Sequence, residues 1–329
     1  MKLLSNGGIR MSAMRIRMGV GVTAALTLLS MSSAVLAAPF LGVNYGPYHR
    51  DGEAPGTPVS DEQFSSDLRI LSQKFTYIKT YGDDAQSRLD QVVPIAATEF
   101  PNLKIYQGVF ENGAYNSNAN TTYLDTAIKL ANEYPNIVAV VVGNEDLDTD
   151  ANPNPITPTQ LIADVQYVRT RLTTSKAQVT TGLGFAAAGK YGAQIAPYVD
   201  SLMINIYPFY GQVRVEDGED NLISQCINFN NQFKSFGKPV IVGETGWPSD
   251  GFNNGAAVPS VENEQIFTDA VIAGLAKTGS TFLFEGFDEP WLKVQNSWGP
   301  HWGLWNSDST PKFTFSLIRG QRDEPFRER

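Results

Sequence analysis

From Phe40 onward the chain alternates two kinds of segment. Short apolar, β-branched runs recur: FLGVNYG (40–46), YIKTYG (77–82), KIYQGVF (104–110), IVAVVVGNE (137–145), QVTTGLGF (178–185), SLMINIYPF (201–209), PVIVGETGW (239–247) and TFLFEGFDEP (281–290). Most are apolar at consecutive rather than alternate positions, the pattern of strands buried on both faces of a parallel sheet. Longer stretches with helical spacing lie between them. Ser60-Asp61-Glu62 gives a capping signal ahead of Phe64, Leu68 and Leu71, and Thr157-Pro158-Thr159 starts another helix with proline in its first turn. Further helices are predicted near 85–98, 122–134, 190–199, 221–236 and 262–277. Eight strands with seven intervening helices predict an α/β protein, a (β/α)8 TIM barrel forming one domain over 38–319. A doubly wound open sheet is the competing arrangement. The polar stretch GAYNSNANTT (113–122) is expected to be an exposed loop, and GQRDEPFRER (320–329) a charged, solvated tail.

Residues 1–37 stand outside this alternation. Lys2, Arg10, Arg15 and Arg17 are their only charges, and an apolar run ends in small residues at Val35-Leu36-Ala37, before Ala38-Pro39. This reads as a signal peptide removed before Ala38, with an uncleaved membrane anchor as the alternative and Met11 or Met14 as other possible starts. Its removal leaves a net charge of −13, against −9 for the whole chain. Such a surface disfavours nucleic acid and anionic lipid as partners. No later stretch is long and apolar enough to span a bilayer, so no stable membrane association is expected. An exported monomer, periplasmic or extracellular, is the resulting expectation. Cys226 is the only cysteine, and His49 and His301 are the only histidines. No intrachain disulfide can form, and neither a histidine-based metal site nor a cofactor is expected.

In a barrel, chemistry gathers where strands end at their C-terminal side. Those ends read Asn44-Tyr45, Tyr81, Asn144-Glu145, Tyr207-Pro208-Phe209 and Glu244 to Trp247, with Glu285, Asp288, Glu289 and Trp291 on the eighth. Glu145 and Glu244 each follow an uninterrupted apolar run, which predicts carboxylates held half-desolvated at the barrel mouth. Desolvation and a neighbouring charge can keep one acid protonated while the other stays ionised. The plainer alternative is that each glutamate caps a helix. All five tryptophans, 247, 291, 298, 302 and 305, come after the seventh strand begins. Indole rings beside paired carboxylates suit a sugar, whose C–H faces stack and whose hydroxyls need polar partners. Some of the five are expected merely to pack a terminal loop, and Trp291 is the one expected against ligand. GLGFAA (182–187) fits a relaxed dinucleotide fingerprint, but the next strand does not end in an acid. Asn120-Thr121-Thr122 is a glycosylation sequon.

The stretches GVNYGP (42–47), VVGNE (141–145), NIYPFY (205–210), VIVGETGWPS (240–249), FEGFDEPW (284–291) and HWGLW (301–305) together resemble glycoside hydrolase family 17. That family comprises β-1,3-glucanases and glucanosyltransferases on a retaining (β/α)8 barrel. The resemblance covers nearly the whole chain after residue 38, and GETGWPS is its most specific part. It implies Glu145 as general acid/base and Glu244 as nucleophile, whose carboxyl groups retention requires about 5–5.5 Å apart. It further implies that Asn144 binds the 2-hydroxyl beside the scissile bond and that Tyr207 hydrogen-bonds Glu244. Tyr45, Glu289 and Trp291 would shape the sugar site. The sequence departs from the family after DEPW. Leu292 intervenes before Lys293, and the acid often found before WGL is absent from VQNSWGPH. Lys293 is the residue expected to take the lysine's place in substrate binding.

The implied substrate is β-1,3-glucan, as polysaccharide or oligosaccharide. Hydrolysis and transglycosylation use the same pair and stay open at this point. A non-catalytic glucan-binding wall protein is the reading from a different class.

Overall fold

The computed structural model describes residues 38–111, 113, 117–148, 154–294 and 297–315. The expected leader (1–37) and charged tail (320–329) lie outside them. Eight parallel strands close into a barrel in sequence order. They are β1 (Leu41–Asn44), β2 (Tyr77–Lys79), β3 (Lys104–Val109), β4 (Ile137–Asn144), β5 (Gln178–Leu183), β6 (Leu202–Asn205), β7 (Val240–Thr245) and β8 (Thr281–Leu283). The helices between them are α1 (Asp61–Ser72), α2 (Val92–Glu99), α3 (Ser117–Glu133), α4 (Pro158–Arg169), α5 (Phe185–Ile195), α6 (Gly218–Phe233) and α7 (Val261–Thr278). The open doubly wound sheet is thereby excluded. Among the described residues no helix is long and apolar enough to cross a membrane.

Local chemistry starts the helices at the expected capping residues. The side chain of Ser60 accepts from Gln63 N at the start of α1, and Thr157 accepts from Gln160 N ahead of Pro158 in α4. Each satisfies one of the first-turn N–H groups that a helix cannot pair internally. The polar stretch 113–122 is not all loop, because α3 begins at Ser117. A polar first turn of helix and a polar loop have the same composition. α5 also begins earlier than its spacing suggests, at Phe185 directly after the Gly184 cap.

Strand residues divide by parity, as a pleated strand requires. Val140 and Val142, Leu202 and Ile204, and Val240 and Val242 pack outward in the layer shared with the helices. Ala139, Val141, Met203 and Ile241 point inward, where Tyr106 and Phe282 fill the barrel. The barrel is therefore solid, and the strand-terminal polar residues gather at its upper mouth.

Parity is broken near the C-terminal ends of β4 and β7. Between Val141 and Asn144 the register of β4 on β5 shifts by an extra residue, and β7 shifts on β6 just before Glu244 and on β8 between Val242 and Thr245. Such bulges bend a strand and re-aim the next side chain. On β7, strict alternation from Ile241 would turn Glu244 outward; the extra residue turns it into the mouth. On β4, Gly143 lies inside the bulge at φ +71°, and Glu145 follows at φ +58°. Left-handed backbone at a residue with a Cβ costs on the order of 1 kcal/mol or more, held here by the surrounding sheet.

Candidate active site

A cleft of about 1190 Å³ opens over the C-terminal ends of the strands. Tyr45, Asn144, Glu145, Tyr207, Glu244, Glu289 and Trp291 all line it. The two glutamates are thus brought into one cavity from β4 and β7, far apart in sequence.

Glu244 is buried, and three donors converge on it. Lys79 Nζ lies 2.9 Å from Oε1, Tyr81 Oη donates to Oε1 at 2.8 Å, and Tyr207 Oη donates to Oε2 at 2.7 Å. Burial and the charge of Glu244 push both phenols well above the ordinary tyrosine range, so they remain donors. Lys79 also reaches Asn144 Oδ1 at 3.1 Å, next in sequence to Glu145. The seat of Glu244 is braced from below. Asn44 Nδ2 donates to the carbonyls of Gly243 and Leu283, both at 3.2 Å, tying β1 to β7 and β8.

Glu145 has a different environment. Asn205 Nδ2 donates to its Oε1 at 2.9 Å. Burial and then the charge of Glu244 push its carboxyl up to about 7, against the opposing effects of Asn205 and Lys79. Two carboxyl groups in one cleft therefore differ sharply in surroundings: one meets a cation and two phenols, the other an amide and a neighbouring anion.

The far wall is also acidic. Glu289 is buried, accepts from Trp291 Nε1 at 3.0 Å, and is pushed up to about 7 chiefly by burial. Its Oε1 stands over Gly46, where a Cβ would meet it at 2.0 Å, so any larger residue there would displace this carboxylate. Glu285 also lines the cleft, and burial followed by the charges of Glu289, Asp288 and Glu244 raises it well above the usual carboxylate range. Glu285 and Glu289 lie beyond β8, which ends at Leu283, on the loop leading to a 3-10 helix at Pro290–Val294.

Lys293 does not join this set. It is exposed on that 3-10 helix and is not among the residues lining the cleft, whereas Leu292 is buried and lines it. The inserted leucine takes the inward position and the lysine faces water. Tyr45 lines the cleft but is buried, its hydroxyl being spent on Asp67 at 2.8 Å. Trp247 follows Glu244 closely in sequence but points away: it is buried against Phe209 and Phe267, and its Nε1 donates to Val258 O at 2.9 Å. The turn at Gly184, which has the dinucleotide-like spacing, faces the carboxylates of Asp148 and Glu145. Those charges oppose a phosphate there. Among the described residues no group of three or more His, Cys, Asp or Glu side chains could hold a metal ion.

Lys79, Tyr81 and Asn205 touch the two glutamates directly, and the sequence patterns single out neither Lys79 nor Asn205 and give Tyr81 no role beyond its place at a strand end. A lone lysine inside the apolar run YIKTYG is the signal that could find one of them, since a buried cation needs an anionic partner.

With this geometry in hand, similarity to known proteins is specific. The family model of the BtgE/BtgC glycoside hydrolase domain matches residues 42–303. The chain is 27% identical to the probable family 17 glucosidase SCW4 of Saccharomyces cerevisiae, over 81% of this chain and 65% of that one. It is 26% identical to the putative glucan endo-1,3-beta-glucosidase btgC of Aspergillus niger, over 84% of this chain and 43% of that one. It therefore spans less than two thirds of the length of either relative. A solved structure of an active-site mutant of the Rhizomucor miehei beta-1,3-glucanosyltransferase, in complex with laminaritriose, superposes with a TM-score of 0.70. That match has 23% identity and covers 84% of this chain and 97% of the other, which establishes a shared fold.

Proposed function

The chain belongs to the BtgE/BtgC glycoside hydrolase domain family, within glycoside hydrolase family 17, and from that membership we propose a retaining hydrolase of β-1,3-glucan that works through Glu145 and Glu244. The observation that carries this reading is the asymmetry of the pair. Glu244, with Lys79, Tyr81 and Tyr207 around it, is suited to act as an ionised nucleophile. Glu145, pushed up to about 7, is suited to hold a proton at neutral pH.

In the first step Glu244 attacks the anomeric carbon, and the bond to the leaving oxygen breaks as Glu145 protonates it. Positive charge that builds on the sugar ring is met by Glu244, while Lys79 limits the repulsion between the two carboxylates. Glu145 leaves this step ionised. It then takes a proton from water, which attacks the glycosyl-enzyme from the side the leaving group vacated, and both glutamates regain their starting states. In this mechanism Asn144 binds the 2-hydroxyl, and Glu289 with Trp291 holds the sugar by hydrogen bonding and stacking.

The relatives are named a glucosidase and an endo-1,3-beta-glucosidase, and the superposed structure a glucanosyltransferase. Transfer to a second glucan is the alternative fate of the intermediate. The exposed rings of Phe110, Phe185 and Tyr210, all lining the cleft, favour it by offering surfaces on which an acceptor can stack. Export with cleavage before Ala38, and a monomeric state, complete the reading; N-terminal sequencing of the secreted protein and its mass in solution check them.

The decisive experiment uses Glu145→Ala with an activated aryl β-glucoside and added azide. The expected product is the β-glucosyl azide, formed because azide needs no base to attack the glycosyl-enzyme. An α-azide, or no rescue at all, would remove Glu145 as the acid/base. Product lengths from a defined laminari-oligosaccharide separate the two fates: shorter chains alone mean hydrolysis, and longer ones mean transfer.

A further inference from the structure

His49 faces acceptors through both ring nitrogens. Nδ1 lies 2.7 Å from the Ser307 carbonyl oxygen, and Nε2 lies 3.0 Å from Asp67 Oδ2. A carbonyl cannot donate, so Nδ1 carries a hydrogen. The second proton lies between an imidazole and a carboxylate. The carboxylic acid is the stronger acid by roughly 2–3 pH units. Asp67 is also supplied with other donors, Tyr45 Oη at 2.8 Å on Oδ2 and Ser66 Oγ at 3.4 Å on Oδ1. Its charge is therefore satisfied as an anion, and the proton belongs on Nε2. Both side chains are fully buried. A neutral imidazole here would aim a lone pair at a carboxylate out of reach of water.

The other groups acting on His49 have the same sign preference. The acidic side chains of Glu53 and Glu289 favour a charged imidazole, or are favoured by one. The Phe287 ring stacks on it with centroids 4.4 Å apart and planes at 17°. Burial by itself lowers the basicity of the ring, and the Asp67 and Ser307 contacts outweigh it, so the net direction is upward.

What this pair holds is one wall of the cleft. Tyr45, Gly46, Pro47 and Tyr48 all line the cavity, and His49 is the next residue. Asp67 on α1 grips both ends of this segment, Tyr45 through its hydroxyl and His49 through Nε2. Glu289 rests over Gly46, and the Tyr48 ring meets Trp291 edge-on with centroids 6.5 Å apart. We propose that His49 is a standing imidazolium whose buried ion pair with Asp67 is a positioning device for the Tyr45–Tyr48 wall, and through it for Glu289 and Trp291. The sugar-binding consequence rests on the glucan reading above; the protonation state does not.

Nitrogen-15 NMR of the full chain with labelled histidine tests it directly. Only His49 and His301 contribute, and His301→Asn assigns the signals. At pH 7, where free imidazole with its midpoint near 6.5 is mostly neutral, both ring nitrogens of His49 should be protonated. A neutral ring with hydrogen on Nδ1 alone at pH 7 overturns the proposal. In parallel, His49→Gln and Asp67→Asn should each raise KM for laminari-oligosaccharides about tenfold with kcat changed less than threefold, and the double variant should be no worse than either. Folded variants with wild-type KM overturn the positioning role. If a variant does not fold, the wild-type spectrum still decides. Absence of glucan turnover by the wild-type protein would count against the proposed function, and the spectrum alone would then decide the charge state of His49.

Discussion

The Lys79 ammonium lies 2.9 Å from Oε1 of Glu244, with the lysine side chain inaccessible and the glutamate nearly so. The same ammonium touches Asn144 and stacks 4.7 Å from the centre of the Tyr81 ring. This one cation sits where Glu244, the phenol that donates to it and the residue beside Glu145 meet. Replacing Lys79 by Met keeps the apolar stem and deletes the charge. Glu244 would keep its two phenol donors but lose its counter-ion, and repulsion from Glu145 would go unopposed. We expect kcat to fall on the order of 10²-fold, the scale of one preorganised electrostatic contact. Steady-state kinetics on laminari-oligosaccharides check this, and a kcat within a few-fold of wild type would show that the phenols suffice.

A pH dependence follows from Glu145. In the proposed mechanism it must carry a proton to act as an acid, and burial with the charge of Glu244 pushes its carboxyl up to about 7. The value of kcat/KM should therefore fall about tenfold per pH unit above about 7. Glu289, also at about 7, could supply the same limb. An aryl glucoside with a good leaving group separates them, because bond breaking then needs no acid. The limb should vanish for that substrate if it belongs to Glu145 and persist if it belongs to Glu289.

Stability should move the opposite way when Glu145 is replaced. Its carboxyl is raised from 4.5 to about 7 in the folded protein. The unfolded chain therefore loses this proton first, and folding stability drops as pH rises from about 4.5 to 7. The deficit above pH 7 is at most about 3 kcal/mol. Glu145→Gln removes that cost and still offers an oxygen to Asn205. The variant should melt higher than wild type at pH 8, with the gap closing by pH 4. Equal melting curves at pH 8 would mean that the carboxylate is solvated in the folded state.

Strand ends in a parallel barrel are chemically conspicuous, and that made much of the site legible in the sequence. VAVVVGNE and PVIVGE put a carboxylate straight after an apolar run, and little but a functional mouth explains that twice. Lys79 and Asn205 are not legible in the same way. Each is polar within a short strand, and whether such a residue faces a ligand or a packed helix depends on parity, which bulges reset. Lys293 departs from its expected place for a related reason: one inserted residue on a tight 3-10 turn rotates everything after it. The extent of α3 is hidden because a polar first turn and a polar loop have the same composition.

The β4 bulge is itself testable at Gly143. Its φ of +71° is a backbone state that alanine rarely adopts, and a Cβ there would meet Asp146 Oδ2 at 1.8 Å. Gly143→Ala must distort the bulge or displace the buried Asp146. A loss of about 1–3 kcal/mol is expected from strain of this kind. Because Glu145 follows two residues later, kcat should fall as well, by more than the unfolded fraction explains. Melting curves and active-site titration together separate the two effects. Normal kcat per folded molecule would mean that Glu145 is aimed by Asn205 rather than by the bulge.

A second buried lysine, Lys312, is not among the residues lining the cleft. Lys312 Nζ meets Asp288 Oδ1 at 2.7 Å, Glu264 Oε2 at 3.3 Å and Ser249 Oγ at 2.6 Å, and it is nearly inaccessible. It joins α7, the turn after β7 and the loop after β8, the same loop that carries Glu285 and Glu289. Glu264 and Asp288 are both raised by burial, with Lys312 acting against that rise. Lys312→Met would leave two buried acids sharing no cation, so at least one must take up a proton or draw in water. The cost should be about 3–5 kcal/mol at pH 7. Without the lysine these acids would stay raised, and their burden would grow as pH climbs past the unfolded carboxylate range. The destabilisation should therefore be larger at pH 8 than at pH 4, where the raised acids are protonated in the folded protein and the unfolded chain has begun to take up the same protons. Denaturant melts of wild type and variant at the two pH values measure it; a deficit independent of pH would mean that Lys312 contributes packing and not charge.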